Sequence, residues 1–557
     1  MPDEHSESRS TSENPSDPSG GSSATPTQLG RHAASGFLWI LVNTAATKLL
    51  QIVAIAVMGT MLTQEDFGLF SIALSISAFI ATFRDSGVRD LLVSRPKEYN
   101  QLVGPCFWLS TTTNFALGFI LGITGEIADA VLFAQGKLAN KGDLSKLVWI
   151  MAAALPLGSP SSTMVARLKV DLRFKALSWQ MTIASLVRYG GQITLALLGW
   201  GPLSYVLPLL AISIVDSLFL YYLTREKAWT HRPMIKSWPE IWRSTQWIIY
   251  ASVAAGITSQ GFSAVAAPFL PQATSIHITG VVFFALSLLF TVESLIGNNL
   301  VQVMLPILSR MSDDPKRLGT ATLRVLALTT LVAAPATIFT ALLFAPVEQL
   351  VWNGKWTESA VALFILAPGF VLRNVVISVP APLMQATGRF RSYFLIWLFT
   401  AIAALCGSAL GGIFFANSEG LALCIAIFVF ASCAFVTVHF LRPLNIPTIL
   451  ILDSILRGLL IAVAAGCVAW FINHELVTPH LPQSFFFTPD NEKPLHAMII
   501  LGRSVHFGPL IQIAMLTASF CLAFITLVRV LASDQLRDAI SVLPNRLADP
   551  ARRVLRL

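Results

Sequence analysis

The sequence predicts an all-α polytopic membrane protein of about fourteen transmembrane helices, organised as two six-helix lobes followed by two C-terminal helices. Three observations predict this. Of the 557 residues, 54% are hydrophobic and only 12% are charged, about half the charged share of a soluble globular protein. Apolar runs of about 20 residues, the length that crosses a hydrocarbon core of about 30 Å, recur along the whole chain. The alternating segments of about 10 residues that mark a β-barrel do not. The cations, finally, alternate from loop to loop. With the N-terminus in the cytoplasm, 29 of the 38 lysines and arginines fall on the cytoplasmic side, 6 on the other, and 3 (Lys48, Arg188 and Arg373) within spans. Such asymmetry follows the positive-inside rule and predicts an even span count with both termini cytoplasmic. The net charge of +8 is then orientation, and no nucleic-acid partner is expected.

In chain order, residues 1–30 are rich in Ser, Thr and Pro, acidic, and without apolar periodicity. They predict a disordered cytoplasmic tail. They lack the basic start and apolar core of a cleaved signal, so the first helix is expected to act as an uncleaved anchor. The N-lobe, 31–223, holds apolar runs at 36–59, 68–92, 101–124, 146–166, 176–199 and 202–223. The run 68–92 is the weakest of these, because its end is charged. A basic cytoplasmic loop, 224–245, joins the lobes. The C-lobe, 246–441, holds runs at 246–270, 278–305, 320–345, 359–386, 391–416 and 419–441, and Pro380 and Pro382 interrupt the fourth. Residues 442–531 carry two further spans, 454–472 and 508–531, around an external loop, 473–507. A basic cytoplasmic tail, 532–557, follows.

The two lobes echo each other. "GLFSIALSI" (68–76) and "GVVFFALSL" (280–288) share Gly, Ala, Leu and Ser at an offset of 212, and Arg31 and Arg243, each just before a span, share the same offset. Internal repeats are typical of transporters, whose sites lie between the repeats.

Enzyme motifs are mostly absent. There is no GxxxxGK[ST] phosphate loop, no HExxH and no GxSxG, so ATP-driven transport by this chain alone is not expected. No catalytic residue, metal site or cofactor is predicted. The six cysteines lie in apolar runs and none is spaced as CxxC, which reads as small apolar filler. The external loop holds His474, His480, His496 and His506 at spacings that fit no standard metal pattern. They read as surface histidines, with a metal or catalytic role as the alternative.

Intramembrane polar residues carry more information. On a helical wheel, Asn43, Thr47, Gln51, Thr44 and Lys48 share an arc of about 140° on the first span. On the fifth, Arg188, Gln192, Ser185, Ser178 and Thr182 share an arc of about 120°. Two polar stripes, each with a cation, predict a hydrated, positively charged cavity. Lys48, Arg188 and Arg373 are the substrate-binding candidates, and Asn43, Gln51 and Gln192 candidate lining. Guanidinium suits phosphate by bidentate bonding and ammonium as a point charge. Asp216 and Glu293 are coupling-ion candidates, since intramembrane acids often serve that role. Each of these charges has a structural alternative: an intramembrane cation paired with an intramembrane acid.

The loops resemble a known family. "MLTQEDFGLFSIALSI" (61–76), "FRDSGVRDLLVSRP" (83–96), "ARLKVDLRFKAL" (166–177), "VMLPILSRMSDDPKRL" (303–318), "WNGKWTESAVALFILAP" (352–368) and "LMQATGRFRSY" (383–393) together resemble the lipid-linked oligosaccharide and polysaccharide flippases of the multidrug/oligosaccharidyl-lipid/polysaccharide exporter superfamily. The resemblance covers about residues 30–440. It implies two six-helix lobes around a central cavity, plus helices 13 and 14. It also implies alternating access, with polyprenyl-pyrophosphate-linked oligosaccharide moved across the bacterial inner membrane for surface polysaccharide synthesis. Membrane lipid, a polymerase and glycosyltransferases are the further candidate partners. The sequence departs from the family at one place. Members often read Arg-x-Leu-x-Pro before "DFG", whereas Thr60 and Gln64 stand at the Arg and Pro positions here. Two alternatives stay open: a drug or small-cation exporter of the same superfamily, and a polytopic glycosyltransferase or polymerase acting from the 473–507 loop.

Overall fold

The computed structural model describes residues 46–81, 88–94, 98–171, 173–310, 314–444, 446–480, 497–500 and 503–532. The expected tail 1–30, and 533–557 of the basic C-terminal tail, lie outside them. The described chain is almost wholly helical. Helix α1 is Ala46–Met61, followed by α2 (Gln64–Ala81), α3 (Val88–Ser94), α4 (Tyr99–Ala134), α5 (Asp143–Val170) and α6 (Phe174–Ser185). Then come α7 (Gly191–Leu197), α8 (Leu203–Thr224), α9 (Trp238–Gln260), α10 (Phe262–Ala266), α11 (Ser275–Arg310) and α12 (Pro315–Trp352). The series ends with α13 (Thr357–Ser378), α14 (Pro380–Ala386), α15 (Phe390–Phe414), α16 (Ser418–Leu441), α17 (Thr448–Phe471) and α18 (Phe507–Leu531). Ten of the described helices are long and apolar enough to cross a bilayer. This is a multi-pass membrane protein, because in lipid only helices or closed barrels satisfy every backbone polar group internally.

Several boundaries differ from the sequence expectation, each for a local reason. The run 68–92 is described as α2 and α3, with residues 82–87 between them outside the described residues. The run 176–199 is broken by a π-helical turn, Leu186–Gly190, between α6 and α7. The run 246–270 begins earlier, at Trp238, and is divided at Gly261 into α9 and α10. The run 359–386 stops at Val379, and α14 restarts with Pro380 in its first turn, where a missing N–H costs nothing. The described residues of 473–507 are not all loop. A π turn (Ile472–Val477) and a short 3-10 turn continue α17, and an antiparallel hairpin, β1 (Ala497–Ile500) with β2 (Arg503–His506), precedes α18. Strands of four residues are too short to show as periodicity inside an apolar run.

Packing divides by sequence half. In the first, α4 lies against α5, and α5 against α2 and α8. In the second, α13 packs on α11, α12 and α16, and α15 on α9 and α16. Helices α17 and α18 pack on each other and on α12. Contact between the halves runs chiefly through α2 against α11. Glycine makes it possible. A Cβ on Gly68 would lie 1.9 Å from the Ile276 carbonyl oxygen, and a Cβ on Gly280 would lie 1.9 Å from that of Gln64. Lipid tails are as apolar as leucine, so such crossings gain their stability from close backbone approach rather than from leaving water.

Candidate functional site

The first span carries its lysine toward the second half. Lys48 Nζ donates to Ser294 Oγ of α11 at 2.6 Å and to Gln51 Oε1 at 3.0 Å. Gln51 Nε2 reaches Thr291 Oγ1 at 3.5 Å. Lys48 and Gln51 sit one turn apart on α1, as do Thr291 and Ser294 on α11, so the predicted polar stripe meets a hydroxyl stripe. Asn43, expected beside it, lies outside the described residues.

Arg188 stands in the π turn between α6 and α7 and is exposed. Its guanidinium lies over the Tyr189 ring, 5.5 Å from the centroid. A π turn widens a helix locally and often marks a functional position. Among the described residues, neither Lys48 nor Arg188 lies within ion-pair distance of a carboxylate. Gln192 follows on α7 and is buried.

Arg373 has a different environment. Its Nε lies 2.6 Å from Glu293 Oε2, Nη2 lies 3.5 Å from Oε1, and Nη2 also donates to Ser259 Oγ at 2.7 Å. The guanidinium is sandwiched near Phe290 and Phe370, at 5.5 and 5.8 Å from their centroids. Both side chains are almost fully buried. Arg373 and Glu293 therefore form one internal ion pair joining α13 to α11, at the residue next to the Ser294 that Lys48 binds. Asp216 on α8 is also buried, and its two carboxylate oxygens accept from Gln180 Nε2 at 3.1 and 3.0 Å.

Aromatic rings of the two halves meet at the end of the helices opposite the basic loops, a contact not legible in the sequence. Phe70 stacks on Tyr205 (centroids 4.2 Å), Phe284 stacks on Trp356 (4.0 Å), and Phe67 meets Tyr205, Phe284 and Trp356 edge-on. These rings come from both halves. Above them, Lys355 Nζ donates to the carbonyls of Thr60 and Leu62, and Gln64 Nε2 donates to the Lys355 carbonyl at 2.6 Å. Trp352 and Trp356 donate their indole N–H groups to Ala56 and Gly59, both at 3.0 Å. His277 lies between Glu358 (3.1 Å) and Glu65 (3.7 Å). Lys137 Nζ reaches the carbonyls of Ala267 and Pro268 at 2.8 and 2.5 Å. Burial of Lys137 holds its ammonium below the ordinary lysine range. Gln64, at the departure from the family pattern, thus binds the opposing "WNGKW" turn. That motif was the available signal.

Of the four loop histidines, only the side chain of His474 falls among the described residues. His474 pairs with its neighbour Glu475 at 3.1 Å, His496 lies outside the described residues, and no cluster of three or more His, Cys, Asp or Glu suited to a metal exists among the described residues.

A family profile described as polysaccharide biosynthesis protein matches residues 57–361, more than half of the 557. The chain belongs to this family. The chain is 27% identical over 208 residues to the succinoglycan biosynthesis transport protein ExoT of Rhizobium meliloti, covering 36% of this chain and 39% of that protein. The aligned part thus falls well short of two thirds of ExoT. It is 21% identical over 345 residues to the lipopolysaccharide biosynthesis protein WzxC of Escherichia coli, covering 61% and 67%. Among solved structures, the fold is similar to the lipid II flippase MurJ in an inward closed conformation, with a TM-score of 0.65 at 14% identity, over 89% of this chain and 100% of that one. A multidrug resistance MATE transporter in an inward-facing conformation matches with a TM-score of 0.51 at 16% identity, over 73% and 98%. At these identities the structural likeness is one of fold.

Proposed function

We propose that this family member is a flippase. It moves polyprenyl-pyrophosphate-linked oligosaccharide repeat units from the cytoplasmic to the outer leaflet of a bacterial inner membrane, by alternating access, for surface polysaccharide synthesis. In this reading all fourteen apolar segments span the membrane, as two six-helix lobes around a cavity plus two C-terminal helices. Both termini are cytoplasmic, and a polymerase and glycosyltransferases act before and after it.

The observation that carries the reading is that, among the described residues, neither Lys48 on α1 nor Arg188 in the π turn has a carboxylate within ion-pair distance. Each could have been neutralised by a nearby acid, and an intramembrane charge costs roughly 3 kcal/mol or more to place. Left unneutralised, they fit a ligand that brings its own negative charge. A diphosphate does, with Arg188 offering bidentate donors and Lys48 a point charge. Gln51 and Gln192, with Asn43, supply donors and acceptors for sugar hydroxyls. A cationic drug would meet repulsion at the same place.

The partners of Lys48 supply a coupling route. Its bond to Ser294 ties α1 to α11 across the halves. A phosphate that takes over Lys48 Nζ releases that tie. Arg373 and Glu293 act in this reading as an internal strut, and Asp216 is the coupling-ion candidate that remains.

The test is extraction of lipids from a strain lacking the protein, with mass spectrometry of polyprenyl-pyrophosphate glycans. One complete lipid-linked repeat should accumulate on the cytoplasmic leaflet while surface polymer is lost. Unchanged polymer with no accumulation would overturn the reading and favour a small-molecule exporter.

A further inference from the structure

The linker between the halves has a surface that the transport reading does not use. Residues 225–236 run from the end of α8 to the start of α9, and they are held rather than loose. Ala228 is fully buried. The His231 carbonyl accepts from the Trp108 indole N–H at 2.9 Å, and His231 Cβ sits where a side chain on Gly104 of α4 would be, 2.5 Å from the ideal Cβ position. Trp238 Nε1 donates back to the Pro233 carbonyl at 2.9 Å. Gly104 and Trp108 are one turn apart inside a membrane-spanning helix. The linker therefore lies along the flank of α4, at the level where tryptophan marks the lipid–water interface, instead of standing off into the cytoplasm.

Held there, it turns two kinds of side chain outward. Trp229, Met234 and Ile235 are 41%, 49% and 65% exposed, and Lys227, Arg232 and Lys236 are exposed between and beside them. Met234 adopts φ +36°, a backbone conformation disfavoured for a side chain of its kind, at the apolar tip. The one acid in the linker, Glu226, turns inward. Its Oε2 accepts from Tyr99 Oη at 2.8 Å, and burial raises its carboxyl above the ordinary range. Among the described residues, Lys227, Arg232 and Lys236 form no ion pair with a carboxylate. Apolar tips interleaved with cations at interface depth match a headgroup layer: the tips enter the acyl boundary and the cations meet phosphates.

We propose that the linker face carrying Lys227, Arg232 and Lys236 with Trp229, Met234 and Ile235 docks on anionic phospholipid headgroups of the cytoplasmic leaflet. This would fix the segment that joins the halves, and it would make the halves' relative motion sensitive to lipid charge. The inference rests on the linker alone and is independent of which cargo the chain moves.

The test uses the full-length protein in vesicles of phosphatidylcholine alone and in vesicles with a quarter phosphatidylglycerol. Hydrogen exchange of residues 225–236 should slow when phosphatidylglycerol is present. In detergent, phosphatidylglycerol retained by a Lys227→Glu, Arg232→Glu, Lys236→Glu variant should fall roughly tenfold or more against wild type, given the affinity each near-surface cation adds. An Arg317→Glu, Arg389→Glu, Arg442→Glu control, with equal charge change elsewhere on the same side, should retain it. Exchange that ignores lipid composition, or equal loss in both variants, would overturn the proposal. So would equal protection by free inorganic pyrophosphate, which would place the linker on the cargo path.

Discussion

Gly68 of α2 and Gly280 of α11 face each other at the boundary of the two halves. Each glycine admits the backbone carbonyl of the residue four before the other: Ile276 against Gly68, and Gln64 against Gly280, both at 1.9 Å from an ideal Cβ. The four positions form two pairs related by the same offset, 212, that separates the echoed segments. A contact that is its own counterpart under the offset is what an internal two-fold repeat produces at its axis.

An added methyl at either glycine would meet backbone, which cannot turn aside as a side chain does. Gly68→Ala and Gly280→Ala should each part the halves on the outer side, at a cost of about 1–3 kcal/mol. A Thr63→Cys reporter should become more reactive to an impermeant maleimide from outside in either background. Unchanged labelling in both would separate this contact from outer closure.

Lys48→Ala and Arg188→Ala should each lower polymer export by at least roughly tenfold, the scale of one lost charge-assisted hydrogen bond. The protein should still reach the membrane, since among the described residues neither cation neutralises a buried acid. Lys48→Arg should restore part of the activity, because charge is kept while the fit to Ser294 is not. Normal export in both alanine variants would remove the ligand role.

Arg373→Met should behave differently. It strands Glu293 inside the bundle, and losing one partner of a buried pair costs about 3–5 kcal/mol. Low yield and a lowered melting temperature in detergent are expected. Arg373→Met with Glu293→Leu should recover most of that stability, as replacing both members of a buried pair often does. Failure of the double variant to recover would show that the strut does more than neutralise itself.

The Tyr99–Glu226 contact supplies a pH dependence. The Glu226 carboxyl titrates above its ordinary value because burial disfavours the charge. The fold therefore binds that proton more tightly than the unfolded chain. Its contribution is complete below the ordinary carboxylate pKa of about 4.3 and is lost as pH rises through the elevated folded value. Over that window the thermal midpoint of wild type should decline relative to Glu226→Gln, which keeps an acceptor for Tyr99 and does not titrate. Parallel profiles would rule the effect out.

Much of this protein was determined by local chemistry. Hydrophobic length placed the helices, because a bilayer of set thickness asks the same of every span. The distribution of Lys and Arg predicted their orientation, and the 3.6-residue period put Lys48 and Gln51 on one face of α1. The offset between Gly68 and Gly280 was legible too, although not the contact it makes. Tertiary structure decided the rest. Glu293 lies 80 residues from Arg373, and Ser294 lies 246 from Lys48. Helical periodicity says which residues share a face, but the depth and rotation of one helix against another come from packing between helices. That is why Arg373 and Arg188, alike in sequence as single intramembrane cations, part company in the fold. One is closed into a pair between α11 and α13, and the other stands exposed in a π turn that no apolar pattern announces.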